Sequence, residues 1–166
     1  MVATIKELMI KGGIREGFQE GTSKLAGRPC YGYIRSNDGS LIINETEAEN
    51  VRWIYERYLA GDSLGKIADG LTEQGIASPT GNPKWNRQAI NKLLSNEKYT
   101  GCALLQKTYT ENGRQVRNNG QTSQYLYHNN NPAIISHESF ESVQNEKLRR
   151  SRNPEQALNH ELNISL

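Results

Sequence analysis

Apolar positions recur at helical spacing in five stretches of this chain, and short runs of β-forming residues separate them. Ile5, Leu8 and Met9 make one stripe, with Phe18 later on a similar face, and predict a helix over residues 4–20. Gly12 and Gly13 weaken its middle, each by about 1 kcal/mol relative to Ala. A helix that begins in mid-pattern needs something to pack on, so the expectation is a chain cut from a longer protein. After a loop at 21–27, residues 31–35 and 41–43 are rich in β formers, and Asp38-Gly39 between them is a two-residue hairpin signal. Asn44 with Glu47 three residues on has the form of a capping box. It opens a helix to about residue 60, with Ala48, Val51, Ile54, Tyr55, Tyr58 and Leu59 on its core stripe and Trp53 off it. Gly61 ends it.

The next two helices form a pair. Asp62 or Ser63 caps the first, Leu64, Ile67, Ala68 and Leu71 form its buried face, and Gly75 ends it. Residues 76–84 make a long turn containing Pro79, Gly81 and Pro83. Trp85 anchors the second helix, with Asn86 as its cap and Ala89, Ile90, Leu93 and Leu94 facing inward. Arg87, Gln88, Asn91, Lys92 and Ser95 are left facing out, and Lys84 stands just before the helix. This is the outline of a helix-turn-helix-like DNA reader. Arg can pair with guanine, Gln and Asn with adenine, and Lys can meet phosphate. A solvated polar face with no ligand has the same composition.

Beyond Gly101 the period changes. Residues 101–109 read as a strand, and 111–124 as a polar, mobile loop carrying Arg114 and Arg117. Residues 125–127 and 133–135 are short strand candidates. Ser136 caps a last helix through Phe140, Val143 and Leu148, which ends in Lys147, Arg149, Arg150 and Arg152. That cluster suits phosphates, and the helix dipole favours it equally with no ligand. The fold class expected is α+β: several short helices, a helix-turn-helix-like pair among them, with a small antiparallel sheet.

Composition narrows this picture only a little. With 166 residues, 35% of them hydrophobic, the chain is sized for one domain plus an appendage and a modest core. The net charge of +2 does not by itself announce a polyanionic partner, so a DNA-binding reading rests on local patches. No apolar run is long enough to span a membrane, and no signal-peptide core is present. The expectation is a cytoplasmic, nucleoid-associated protein. Cys30 and Cys102 are far apart without a Cys-x-x-Cys partner, which argues against structural zinc and for reduced thiols. His128, His137 and His160 are too scattered for a metal motif. No cofactor is expected.

Gly27-Arg28-Pro29 has an arm's composition. Pro extends the backbone, Gly permits close approach, and Arg suits a narrow A·T-rich minor groove, although such tripeptides also make plain surface turns. Several motifs then fall in order: Gly27-Arg28-Pro29 with Tyr31-Gly32-Tyr33, Glu47-Ala48 before Val51, and Ser63 with Ile67-Ala68. Gly75-Ile76 with Pro79, Gly81 and Trp85 follows, then Leu94 and Asn96 with Tyr99 and Gly101. Asn131-Pro132-Ala133-Ile134-Ile135-Ser136 with Phe140 and Val143 closes the series. Together they resemble the recombinase domain of large serine site-specific recombinases, over roughly residues 17–150. The resemblance implies a mixed helix-and-sheet domain that binds double-stranded DNA and recognises half of an attachment site, within a parent that is a homodimer or tetramer on DNA. It implies minor-groove contact by the arm. It divides the chain into 1–20, a connecting helix from a catalytic domain; 21–152, the DNA-binding domain; and 153–166, a frayed tail.

Similar proteins cleave DNA with a serine nucleophile in a Tyr-x-Arg-x-Ser motif. In Tyr33-Ile34-Arg35-Ser36 the serine falls one residue early and abuts a turn, so no catalysis is expected from this chain. The competing readings are a stand-alone helix-turn-helix regulator, a nuclease or hydrolase using the histidines, and a protein-interaction domain.

Overall fold

The computed structural model describes residues 27–151. The expected helix at 4–20 and the tail beyond 152 lie outside them. The first elements are strands β1 (Tyr33–Arg35) and β2 (Leu41–Ile43), paired antiparallel with Tyr33 opposite Ile43. The connection is not the expected two-residue turn. Gly39 N–H donates to Ser36 O (3.0 Å) and Ser36 N–H to Ser40 O (2.9 Å), so Asn37, Asp38 and Gly39 form the loop. Only Gly39 among them takes a positive φ, +86°, whereas a two-residue type I′ turn requires it at both central positions. The Asp38 carboxylate completes the loop by accepting from Ser40 N–H (2.9 Å) and from the Ser36 and Ser40 hydroxyls.

Helix α1 (Glu45–Leu59) starts at Asn44, whose side chain accepts from Glu47 N–H (3.4 Å). The reciprocal half of the capping box is absent. The Glu47 carboxylate reaches across to Gly32 N–H (2.7 Å) and ties the helix start to the segment entering β1. Ala48, Val51, Ile54, Tyr55 and Tyr58 are buried. Leu59, assigned to the same stripe from the sequence, is 42% exposed, because the buried stripe of Val51, Ile54, Tyr55 and Tyr58 leaves it on the flank of the helix. Trp53 packs against α2 (Leu64–Glu73), where its ring covers Gly70. Both helices close in the Schellman manner. Asp62 N–H donates to Arg57 O and Gly61 N–H to Tyr58 O; Ile76 N–H donates to Leu71 O and Gly75 N–H to Thr72 O.

Helix α3 (Arg87–Leu94) runs into a 3-10 turn (Glu97–Thr100). The expected strand at 101–109 is two strands, β3 (Ala103–Leu105) and β4 (Thr108–Glu111), broken where Gln106 takes a φ of +62°. The expected mobile loop at 111–124 holds an ordered hairpin. β4 pairs with β5 (Arg114–Arg117) through Asn112 and Gly113, both at positive φ, in the type I′ turn that Asn-Gly favours. Asn118 then closes the loop from a buried position, its amide donating to Gln106 O (2.9 Å) and Thr122 O (2.7 Å). β6 (Tyr125–Tyr127) pairs with β3. Residues 133–135 are not a strand. Ile134 and Ile135 are buried, and both their N–H groups donate to Tyr99 O at 2.9 Å. Helix α4 (His137–Arg150), capped by Ser136, completes the chain.

The described residues thus form four helices with three separate two-stranded antiparallel ladders. One core joins β1, β2, the four helices and Ile134–Ile135; Ala103, Leu105, Tyr125 and Tyr127 form a smaller cluster. Among the described residues no helix is long and apolar enough to cross a membrane.

Candidate nucleic-acid interface

Helices α2 and α3 are each fixed at the start by a side chain. Ser63 Oγ accepts from Lys66 N–H (3.2 Å), and Asn86 Oδ1 accepts from Ala89 N–H (2.7 Å). Ile67, Ala68 and Leu71 of α2 and Ile90, Leu93 and Leu94 of α3 share the core with Trp85. The connection is longer than the roughly three- to four-residue turn of a simple helix-turn-helix, yet it is tied down. Trp85 Nε1–H donates to Ile76 O (2.8 Å), Trp85 N–H to Thr72 Oγ1 (3.3 Å), and Ser78 N–H to Asn82 O (2.8 Å). Tyr31 meets the Trp85 ring edge-on at 5.5 Å.

This packing leaves one row of α3 outside. Arg87, Gln88, Asn91 and Lys92 are all exposed, as is Lys84 ahead of them. None of these five side chains makes a hydrogen bond or ion pair among the described residues. Their neighbours are engaged: Ser95 Oγ donates to Asn91 O (2.9 Å), and Lys147 Nζ donates to Asn91 O (3.4 Å) and to Ser95 Oγ. Lys147 therefore closes the C-terminal end of α3, and burial lowers its pKa to about 8.

Two cations hold the segment at Gly27-Arg28-Pro29. The Arg35 guanidinium donates to Gly27 O (2.7 Å), and Lys98 Nζ donates to Arg28 O (2.7 Å). The Arg28 side chain is exposed. Burial lowers the pKa of Lys98, which sits in the 3-10 turn just after α3. The arm is thus fastened by its backbone, and Arg28 itself stays exposed.

The remaining cations named from the sequence separate by role. Arg114 and Arg117 stand exposed on β5 of the ordered hairpin, away from the helix pair in sequence. Arg149 forms a two-pronged pair with Glu146 (both contacts 2.7 Å), and this pair together with Arg150 lowers the Glu146 pKa to about 2. Arg150 is built into the fold. It donates to Asp62 O (2.8 Å) and Tyr58 O (2.9 Å), pairs with Glu146, and lies 4.2 Å over the Tyr58 ring. Its donors close the C-terminal end of α1, where a cation also suits the dipole. Arg152 lies outside the described residues.

The fold brings together one group that spacing alone left apart. Cys102 Sγ is buried 3.5 Å from His128 Nδ1 and 4.0 Å from His137 Nε2. No local signal could have found it, because the three residues converge only through β3–β6 pairing and the start of α4. Among the described residues no group of three or more His, Cys, Asp or Glu is arranged to hold a metal. Cys30 and Cys102 are both free thiols. Ser36 Oγ, which donates to Asp38, serves the β1–β2 loop.

The sequence pattern of the Recombinase family matches residues 45–150, from the start of α1 to the end of α4. A chain described as the crystal structure of an LSR–DNA complex is 26% identical, with a TM-score of 0.54, over 88% of this chain and 40% of that one. A second, from work on the sequence requirements of the Listeria innocua prophage attP site, is 23% identical with a TM-score of 0.52; it covers 84% of this chain and 54% of its own, and shows the fold alone. This chain therefore spans about half or less of the length of those chains. With the family pattern running through all four helices and the fold shared by both solved chains, the chain belongs to the recombinase family.

Proposed function

We propose that this chain is the DNA-binding module of a serine site-specific recombinase, and that it recognises half of an attachment site without cutting DNA itself. The observation that carries this is the outward row of α3. Arg87, Gln88, Asn91 and Lys92 are donor-rich, capable of reading base edges and meeting phosphate, and without partners in the fold. The fastened arm supports a second contact, with Arg28 entering the minor groove. Family membership and the described LSR–DNA complex agree with this reading. Residues 21–152 then form the DNA-binding unit, and the catalytic serine belongs to another part of a parent that assembles as a dimer or tetramer on DNA. A single module binds weakly, since the parent gains avidity from its assembly.

Fluorescence anisotropy of the chain with A·T-rich and mixed-sequence duplexes across a salt series tests the reading. Affinity should fall with salt, with a log–log slope of about −0.9 per phosphate contact, and supercoiled plasmid should stay uncut. Absence of binding at low salt would reject it.

A further inference from the structure

We propose that Gly65 is a positioning residue for Arg87: the bare first turn of α2 forms the seat on which the Arg87 guanidinium rests, and this sets where that cation stands on the α3 face. The inference rests on the DNA-binding reading above and adds to it a residue that touches no DNA. A Cβ built on Gly65 would meet Arg87 Nε at 3.0 Å, NH2 at 3.2 Å and Cζ at 3.4 Å, so the guanidinium lies against the helix backbone itself. No hydrogen bond or ion pair holds Arg87 among the described residues. The backbone does not demand glycine here, because Gly65 lies within a regular helix at negative φ, where alanine is the better helix former. The absent methyl therefore matters for what it admits. A long cation confined to one seat loses less freedom on binding than one that wanders, and preorganisation of that kind strengthens association.

A methyl group at 65 would have the far end of the flexible Arg87 side chain as its nearest neighbour, so the guanidinium must shift by a few tenths of an ångström off its seat, with no core atom among the nearest contacts. Stability and binding should accordingly move in opposite directions. The full chain is compared as Gly65→Ala, Arg87→Ala, Arg87→Lys and the two doubles. Anisotropy against A·T-rich and G·C-rich duplexes at fixed salt is measured alongside thermal unfolding. Gly65→Ala should hold or raise the unfolding midpoint yet weaken DNA binding roughly three- to tenfold. With Arg87→Ala or Arg87→Lys already present it should change binding no further, since lysine keeps the charge but has no planar group to seat. Binding of Gly65→Ala equal to that of the unchanged chain would overturn the inference, as would an equal loss in all three backgrounds, or a loss matched by a fallen midpoint. If the unchanged chain binds neither duplex, the DNA-binding reading fails first and this inference with it.

Discussion

At single positions the structure separates residues that serve the fold from residues left free of it. Gly101 serves the fold. Its φ is +86°, and a Cβ there would come within 2.8 Å of Asn131 O, a backbone atom held in place by the Asn130 and Asn131 N–H bonds to Gly101 O. Both the left-handed conformation and the clash oppose a side chain. Gly101→Ala should cost more than about 2 kcal/mol in urea unfolding, whereas Gly39→Ala, at φ +86° but with open surroundings within 4 Å, should lose only the backbone preference of about 1–2 kcal/mol. Lys92 is the opposite case: exposed and unpartnered. Lys92→Ala should leave the urea midpoint in place while lowering the salt slope of DNA binding by about one. An unchanged slope would remove Lys92 from the phosphate contacts.

Between elements, α4 acts as a strap whose basic end closes two other helices. Arg150 covers the end of α1, and Lys147 the end of α3. Arg150→Ala leaves the Tyr58 and Asp62 carbonyls without their charged donor, at a cost of about 2–3 kcal/mol. Arg149→Ala removes an exposed pair and should cost under about 1 kcal/mol. Thermal unfolding of the two variants checks this contrast; equal losses would mean that the strap contributes nothing special. Sequence could not separate these neighbours, because Arg150's partners lie 88 and 92 positions away. What it did reveal was local. The helical period and the caps Asn44, Asp62 or Ser63, Asn86 and Ser136 mark four helix starts, with Ser63 the cap in the fold, and the same period turns Arg87, Gln88, Asn91 and Lys92 outward. The β4–β5 hairpin at Asn112-Gly113 was missed: its polar neighbours lack apolar alternation, so the segment reads as a mobile loop. The break at Gln106 and the bonding of Ile134 and Ile135 to Tyr99 O depend on tertiary partners. So does the convergence of Cys102, His128 and His137.

For the whole molecule, the buried tyrosines link separate segments and set the response to alkaline pH. Tyr33 O–H donates to Pro132 O (2.6 Å), Tyr99 O–H to Tyr31 O (2.8 Å), and Tyr55 O–H to Leu94 O (3.4 Å). Burial raises all three pKa values: Tyr33 to about 12, Tyr55 further, and Tyr99 well above the usual phenol value. Above pH 10 the unfolded chain therefore loses phenolic protons that the folded chain keeps. The stability these groups contribute is complete below pH 10 and falls as pH rises towards the folded values. Lys147 has the opposite sign. Its folded pKa near 8 lies below the ordinary 10.5, so the unfolded chain binds the extra proton and stability rises across pH 8 to 10.5. The urea midpoint should climb slightly from pH 8 and then drop above pH 10. Each tyrosine fully in play contributes a slope of about 1.4 kcal/mol per pH unit, so the three together can erase much of a typical domain's roughly 5–15 kcal/mol within a few units. Lys147→Met should shrink the climb, leaving the part that the lowered pKa of Lys98 contributes, and leave the drop. A midpoint level from pH 10 to 12 would contradict the assignment of these phenols to the core, and a steady decline from pH 8 would contradict the role of Lys147.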